Sequence, residues 1–144
     1  MRRTKPADQP ALSGLKRVLV VEDDPILGAA IEATLEDAGV EEVIVLPELQ
    51  SSLAAIEAKK PYAIVLDIHL SDRNDGWALA ELVQVIGPKP PRIVFQTGLP
   101  EAIPPEIAEL GPVLEKPYDP AELVEALRQP VNKSLLARIK GALA

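Results

Sequence analysis

The sequence contains no cysteine, which excludes disulfide scaffolds, thiolate nucleophiles and cysteine-bound zinc. His69 is the only histidine, so a histidine-based metal site or catalytic dyad cannot be built from this chain alone. No apolar stretch approaches the roughly 20 residues of a membrane-spanning helix. No apolar segment follows the two N-terminal arginines, as it would in a signal peptide. We therefore expect a cytoplasmic protein without a membrane partner.

Aromatic residues are also scarce, at 3% of the chain against 47% for all apolar residues, so Val, Ile, Leu and Ala must fill the core. The 144 residues suit one domain that buries about two thirds of its unfolded surface. The net charge is −7, and residues 18–127 carry 21 acidic and 6 basic side chains, whereas both ends of the chain are basic. A body this acidic repels phosphate backbones, so we expect no nucleic-acid partner.

Short runs rich in Val, Ile and Leu alternate with segments of helical periodicity. The predicted strands are 17–21, 43–46, 62–66, 92–96 and 112–115. The predicted helices are 25–38, 48–59, 76–86, 105–110 and 120–129, with Asp24-Pro25 and Asp119-Pro120 as start signals. Strands of this kind, separated by helices, predict an α/β fold with a doubly wound parallel sheet and helices on both faces.

Two segments lie outside this pattern. Residues 1–15 contain prolines, Ser13 and Gly14, and we expect a disordered leader before a folded domain at 16–129. Residues 130–144 form an extension with an apolar stripe at Leu135, Leu136, Ile139 and Leu143, which predicts a short amphipathic helix. Such a helix packs on its own domain, or alternatively on a partner or a second copy of the chain. Disorder is the third alternative.

Four predicted strands end directly on polar residues. These are Glu22, Asp23 and Asp24 after the first strand, Asp67 after the third, Thr97 after the fourth, and Lys116 after the fifth. The carboxyl ends of parallel strands share one edge of the sheet, where ligands bind at the reversal of strand order. Carboxylates, a hydroxyl and an ammonium at that edge predict a site for a metal and a phosphoryl group.

The same residues carry a family resemblance. From about residue 17 to residue 129 the chain resembles the receiver domain of bacterial two-component response regulators, through Glu22-Asp23, Asp67, Thr97-Gly98 and Lys116-Pro117. The segment Phe95–Leu99 is similar to a Phe-Ala-Thr-Gly-Tyr subgroup of stand-alone receivers, from which Gln96 and Leu99 depart. Two further departures are Val113, where many receivers hold a switching aromatic residue, and a loop at 71–76 that is about one residue longer.

The resemblance implies a flavodoxin-like sheet of five strands in the order 2-1-3-4-5. It also implies that Asp67 accepts a phosphoryl group from a sensor histidine kinase, of the HWE or HisKA2 type if the subgroup is right. Mg²⁺ would be held by Asp23 and Asp67 directly, by Glu22 through water and by the backbone carbonyl of His69. Lys116 would pair with Asp67 and the phosphoryl oxygens, aimed by a cis bond to Pro117, and the Thr97 hydroxyl would donate to the phosphoryl group.

The function that this implies is a single-domain response regulator, a monomer or weak dimer. It would be a phosphoryl acceptor, with possible autodephosphorylation, rather than an enzyme acting on a separate substrate. It would signal through phosphorylation-dependent protein contacts or serve as a phosphate shuttle or sink. The alternative is a phosphorylation-independent adaptor on a receiver fold. A dehalogenase-type phosphatase is disfavoured, because His69 stands where such enzymes carry a second aspartate.

Simpler interpretations of the single residues also stand. Asp24 is expected to be the N-cap of the first helix. Taken alone, Thr97 is a strand-end hydroxyl that caps a turn, and Lys116 is a surface lysine at a helix entry.

Overall fold

The computed structural model describes residues 10–68, 80–81, 83–84 and 90–129. Five strands form one sheet: β1 (Arg17–Val21), β2 (Glu42–Leu46), β3 (Ala63–Asp67), β4 (Arg92–Thr97) and β5 (Val113–Glu115). All neighbouring pairs are parallel, and the order is β2-β1-β3-β4-β5. The predicted α/β fold and its 2-1-3-4-5 order are therefore confirmed.

The helices of the described residues are α1 (Pro25–Asp37), α2 (Leu49–Lys59), α3 (Pro105–Ala108) and α4 (Pro120–Arg128), with a 3₁₀ turn at Pro100–Ala102. None of them is long and apolar enough to cross a bilayer. As predicted, Asp24 caps α1 by accepting hydrogen bonds from the amides of Ile26 and Leu27, and Asp119 and Glu122 form a capping box on α4. The predicted helix at 76–86 lies mostly outside the described residues, although residues 80, 81 and 83 are helical.

The core lies on both faces of the sheet, because side chains alternate between faces along each strand. On the first face, strand residues such as Leu19, Leu66 and Phe95 pack with Ile56 of α2 and Ile107 of α3. On the second face, a different set packs between the strands and helices α1 and α4: Val18, Val20, Ile31, Leu35, Val65, Val94, Leu123 and Leu127. Both faces are covered, which explains why the strands read as continuous apolar runs.

The expected disordered leader is wrong for residues 10–15. Leu12 is 2% exposed and belongs to the core of the second face. Its amide donates to the carbonyl oxygen of Ala38 at 2.7 Å, which ties the segment to the end of α1. The gain from burying a leucine side chain, about 2 kcal/mol, opposes the entropy of ordering this turn. Residues 1–9 and 130–144, including the predicted amphipathic helix, lie outside the described residues.

Arg92 links the start of β4 to the end of α4. Its guanidinium donates to the carbonyl oxygens of Leu127 at 3.0 Å and of Ala126 at 3.4 Å. The last carbonyl groups of a helix have no partner within the helix, and a cation there also complements the helix dipole. Arg92 therefore anchors α4 at the end opposite to the predicted site.

Candidate functional site

Three carboxylates meet at the carboxyl end of the sheet. The register pairs Val21 of β1 with Leu66 of β3, so the residues that follow, Glu22 and Asp67, lie side by side. Oxygen atoms of Glu22, Asp23 and Asp67 all lie within 4.8 Å of one another. Because β1 has β2 on one side and β3 on the other, this is where the strand order reverses. The sequence placed these residues at one edge, and the structure brings them together there.

Glu22 is the most buried member of this cluster, with 2% of its surface exposed. Burial, and a hydrogen bond with the Asp67 carboxyl, raise the pKa of Glu22 to about 7. One stabilising contact of the charged form is the hydrogen bond from the amide of Asp24 to Glu22 Oε2, at 3.2 Å. Three carboxylates face the one ammonium of Lys116 here, so the formal charge of the cluster is negative.

This excess of negative charge fits a hard cation. Mg²⁺ takes oxygen ligands and is commonly held by one or two carboxylates together with water. Asp23 is exposed, Glu22 is buried, and only 6% of the Asp67 side chain is exposed, so the cluster reaches from the interior to the solvent. The donor set and its access to solvent therefore suit Mg²⁺. His69, whose carbonyl was the other expected ligand, lies outside the described residues.

Lys116 is the cation of the cluster. Its Nζ lies 2.9 Å from Glu22 Oε1 and 3.1 Å from Asp67 Oδ1, so the ammonium is shared by the two carboxylates. Burial lowers the pKa of Lys116, but its hydrogen bonds to Glu22 and Asp67 outweigh this effect and leave the pKa above its ordinary value. The Lys116-Pro117 peptide bond is cis, as expected. These contacts exclude the interpretation of Lys116 as a plain surface lysine.

Thr97 ends β4 beside the cluster and is 3% exposed. Its hydroxyl accepts a hydrogen bond from the amide of Leu99 at 3.1 Å, which is the turn-capping role considered above. Its carbonyl oxygen accepts a hydrogen bond from the amide of Lys116 at 2.8 Å. Thr97 is therefore at the expected edge, and its donation to a phosphoryl group stays a prediction.

A polar side chain of β4 adds a contact that we did not predict. Gln96 is fully buried, and its Nε2 donates to Glu22 Oε1 at 3.1 Å. Its Oε1 accepts a short hydrogen bond from the hydroxyl of Tyr118. Burial, with the nearby charges of Glu22 and Asp67, raises the pKa of Tyr118 to about 12, so the hydroxyl keeps its proton. The acidic cluster is thus connected through Gln96 to the turn before α4.

Comparison with known proteins agrees with this geometry. Residues 18–128 match the family described as the response regulator receiver domain. The chain belongs to this family. Receiver domains operate in two-component signalling with a histidine kinase or another protein partner.

Solved receiver domains share this fold. The receiver domain (CheY-like) from Methylobacillus flagellatus is 26% identical, with a TM-score of 0.68 over 85% of this chain and 99% of that chain. The signal receiver domain of a response regulator from Bermanella marisrubri is 28% identical, with a TM-score of 0.68 over 82% of this chain and 99% of that one. The fold and the family are therefore supported by two structures that this chain covers almost completely.

A curated relative is longer. The phyllosphere-induced regulator PhyR of Methylorubrum extorquens is 28% identical over 115 residues, which is 78% of this chain and 42% of PhyR. The receiver domain thus spans less than half of that relative.

Sequence reasoning noted Gln96 only as a departure from a motif and did not connect it with Tyr118. The signal that was available is the position of Gln96 within the apolar run of β4, where an uncharged polar side chain needs a buried partner. The identity of that partner does not follow from the sequence. The sequence also predicts that Trp77, the only tryptophan, lies near Asp67, because it begins the predicted helix just beyond the loop that follows Asp67. Residues 69–79 lie outside the described part of the chain, so this stays a prediction.

Proposed function

We propose that this receiver domain accepts a phosphoryl group on Asp67 from the phosphohistidine of a sensor histidine kinase, in a reaction that requires Mg²⁺. The observation that carries the proposal is the position of Asp67. It ends a central strand, its Oδ1 lies 3.1 Å from the ammonium of Lys116, and it lies within 4.8 Å of the carboxylates of Glu22 and Asp23. An acceptor carboxylate next to one fixed cation and a cation-binding cluster suits phosphoryl transfer, which depends on positioning and charge neutralisation.

In the proposed step an oxygen of Asp67 attacks the phosphorus atom, and the bond between phosphorus and the imidazole nitrogen breaks. The nitrogen keeps the electron pair, the imidazole leaves as the neutral or protonated ring, and an acyl phosphate forms on Asp67. Lys116 faces the negative charge of the transferred group as a point charge. Asp23, Asp67 and Glu22 would hold Mg²⁺, which when bound neutralises charge on the phosphoryl oxygens. Thr97 would donate to the same oxygens.

Acetyl phosphate tests this proposal because it needs no knowledge of the kinase. With Mg²⁺ present, intact mass measurement should show one added phosphoryl group on the wild type and none on Asp67→Asn. Asp24→Asn is the matched control, since it removes a neighbouring exposed carboxylate while asparagine still caps α1. Equal labelling of wild type and Asp67→Asn would rule out Asp67 as the acceptor.

The proposed metal ligands predict a second result. Asp23→Asn should weaken Mg²⁺ binding by at least about tenfold, because it removes one of the carboxylates that would contact the ion. Titration followed by calorimetry, or by fluorescence of Trp77, measures the affinity. An unchanged affinity in this variant would remove Asp23 from the ligand set.

A second part of the proposal concerns the role of the protein in a signalling pathway. We propose a response regulator that works through phosphorylation-dependent contacts or as a phosphate shuttle or sink, and is paired with a kinase of the HWE or HisKA2 type. Autodephosphorylation would return it to the ground state. The competing hypothesis is an adaptor that works without phosphorylation, which the intact cluster of Asp23, Asp67 and Lys116 disfavours. Partner binding that is identical in wild type and Asp67→Asn, with and without acetyl phosphate, would favour the adaptor.

A further inference from the structure

We propose that Gln96 and Tyr118 form a relay that transmits the occupancy of the acidic cluster to the turn before α4. This inference rests on the proposed function, since it needs a cluster that binds Mg²⁺. Gln96 would be a positioning residue, acting through Glu22 on one side and through Tyr118 on the other. The two bonds join residues that are 74 and 22 positions apart in the chain.

The orientation of the Gln96 amide is set by its two partners. Glu22 presents a carboxylate oxygen, which accepts hydrogen bonds, so the NH₂ group of Gln96 must face it. A flipped amide would place two oxygens against each other and would leave the Tyr118 hydroxyl facing an NH₂ group. Because Gln96 is fully buried, water cannot replace either bond. The amide therefore cannot rotate or shift at one end without disturbing the other.

At the cluster end, Glu22 Oε1 accepts from two donors, Gln96 Nε2 at 3.1 Å and Lys116 Nζ at 2.9 Å. A cation bound in the cluster would attract the negative charge of Glu22. A phosphoryl group on Asp67 would attract the ammonium of Lys116 away from Glu22. Either event changes how strongly Glu22 Oε1 accepts the hydrogen bond from Gln96 Nε2. The bond between Glu22 and Gln96 thus differs in strength between the empty and the occupied cluster.

At the other end, Tyr118 is half-buried and packs against the core between α1 and α4. It directly precedes Asp119, the N-cap of α4. The other end of α4 is held by Arg92. A shift of the Tyr118 hydroxyl therefore acts on the N-terminal end of a helix whose far end is anchored by Arg92, which makes the first turn of α4 the expected place of response.

The first test follows the tyrosine rings directly. The chain has two tyrosines, so ¹³C-tyrosine labelling gives two ring signals, assigned with Tyr62→Phe. Addition of Mg²⁺ to the full chain should shift the Tyr118 signal in the wild type and leave it in place in Gln96→Met, which keeps the volume but loses both hydrogen bonds. Tyr62 lies at the opposite end of β3 and is the internal control, with no shift in either protein.

The second test uses the reciprocity of coupled sites. If Tyr118 senses the cluster, Tyr118→Phe must change the Mg²⁺ dissociation constant, by about threefold to tenfold for the loss of one hydrogen bond. The same substitution in a Gln96→Met background should have no effect, since the connection is already broken. Tyr118→Phe keeps the ring and its packing, so this arm remains informative if Gln96→Met does not fold.

The outcomes separate the relay from the proposed function. A wild type that neither binds Mg²⁺ nor accepts a phosphoryl group would overturn both. A wild type that does both, but whose Tyr118 signal stays in place or moves equally in Gln96→Met, would overturn the relay alone. Additive effects of Tyr118→Phe and Gln96→Met on the Mg²⁺ affinity would do the same, because they would assign Gln96 and Tyr118 separate structural roles.

Discussion

Glu22 makes the stability of the metal-free domain depend on pH, and the structure determines the sign. In the folded chain its pKa is about 7, because it is buried beside Asp67, whereas its ordinary value is 4.5. Between these pH values the folded state holds a proton that the unfolded state has released. The contribution of Glu22 is therefore most favourable at low pH and is lost as the pH rises from 4.5 to about 7.

The whole difference corresponds to about 3 kcal/mol. The part of this difference that can be measured is smaller, because the chain has little net charge near its isoelectric point of about 4.8 and proteins precipitate readily there. Between pH 5.5 and pH 8 the pKa difference predicts a loss of about 2 kcal/mol from this carboxyl. Glu22→Gln removes the titrating group and keeps an oxygen that accepts from Gln96. From pH 5.5 to pH 8, the free energy of unfolding of Glu22→Gln should therefore increase by about 2 kcal/mol relative to that of the wild type.

Denaturant unfolding in EDTA at pH 5.5, 6.5, 7.5 and 8 measures this difference. Glu125→Gln is the matched control, since Glu125 is exposed and its hydrogen bond with Arg128 lowers the pKa, which gives the opposite sign. If the free energies of unfolding of wild type and Glu22→Gln run parallel from pH 5.5 to pH 8, the pKa of Glu22 is not raised in the folded state. The inference that burial beside Asp67 disfavours the charged form of Glu22 would then be wrong.

Three further substitutions, with Gly98→Ala as a control for one of them, test the fold that supports the site. Leu12→Ala should lower the free energy of unfolding, measured by denaturation, by about 2–5 kcal/mol, because the side chain is buried. A change near zero would mean that the N-terminal turn is not part of the core. Gly111→Ala should destabilise strongly, since a Cβ would lie 1.9 Å from the carbonyl oxygen of Ile93, whereas Gly98→Ala, with open space around it, should unfold like the wild type. Arg92→Met should speed amide hydrogen exchange in the last turn of α4, and unchanged exchange would refute the anchoring role.

Most of the fold could be predicted from local signals in the chain. Apolar runs such as 18–21 and 63–66 mark strands that are buried on both faces, and Asp-Pro pairs mark the starts of α1 and α4. The candidate site was accessible for the same reason. Glu22 and Asp67 directly follow such runs, and in a parallel sheet the residues after neighbouring strands must lie side by side.

What only the tertiary structure decided concerns partners that are distant in sequence. The composition around Leu12 predicted a disordered leader. In the structure, the Leu12 side chain is buried in the core of the second face, together with residues of α1 and α4. The sequence placed Lys116 at the site. That its ammonium contacts both Glu22 and Asp67 depends on the distances between the ends of β1, β3 and β5. Gln96 and Tyr118 show the same limit. Periodicity tells that a side chain is buried, whereas the partner of a buried polar group depends on which atoms the packed fold brings within hydrogen-bonding distance.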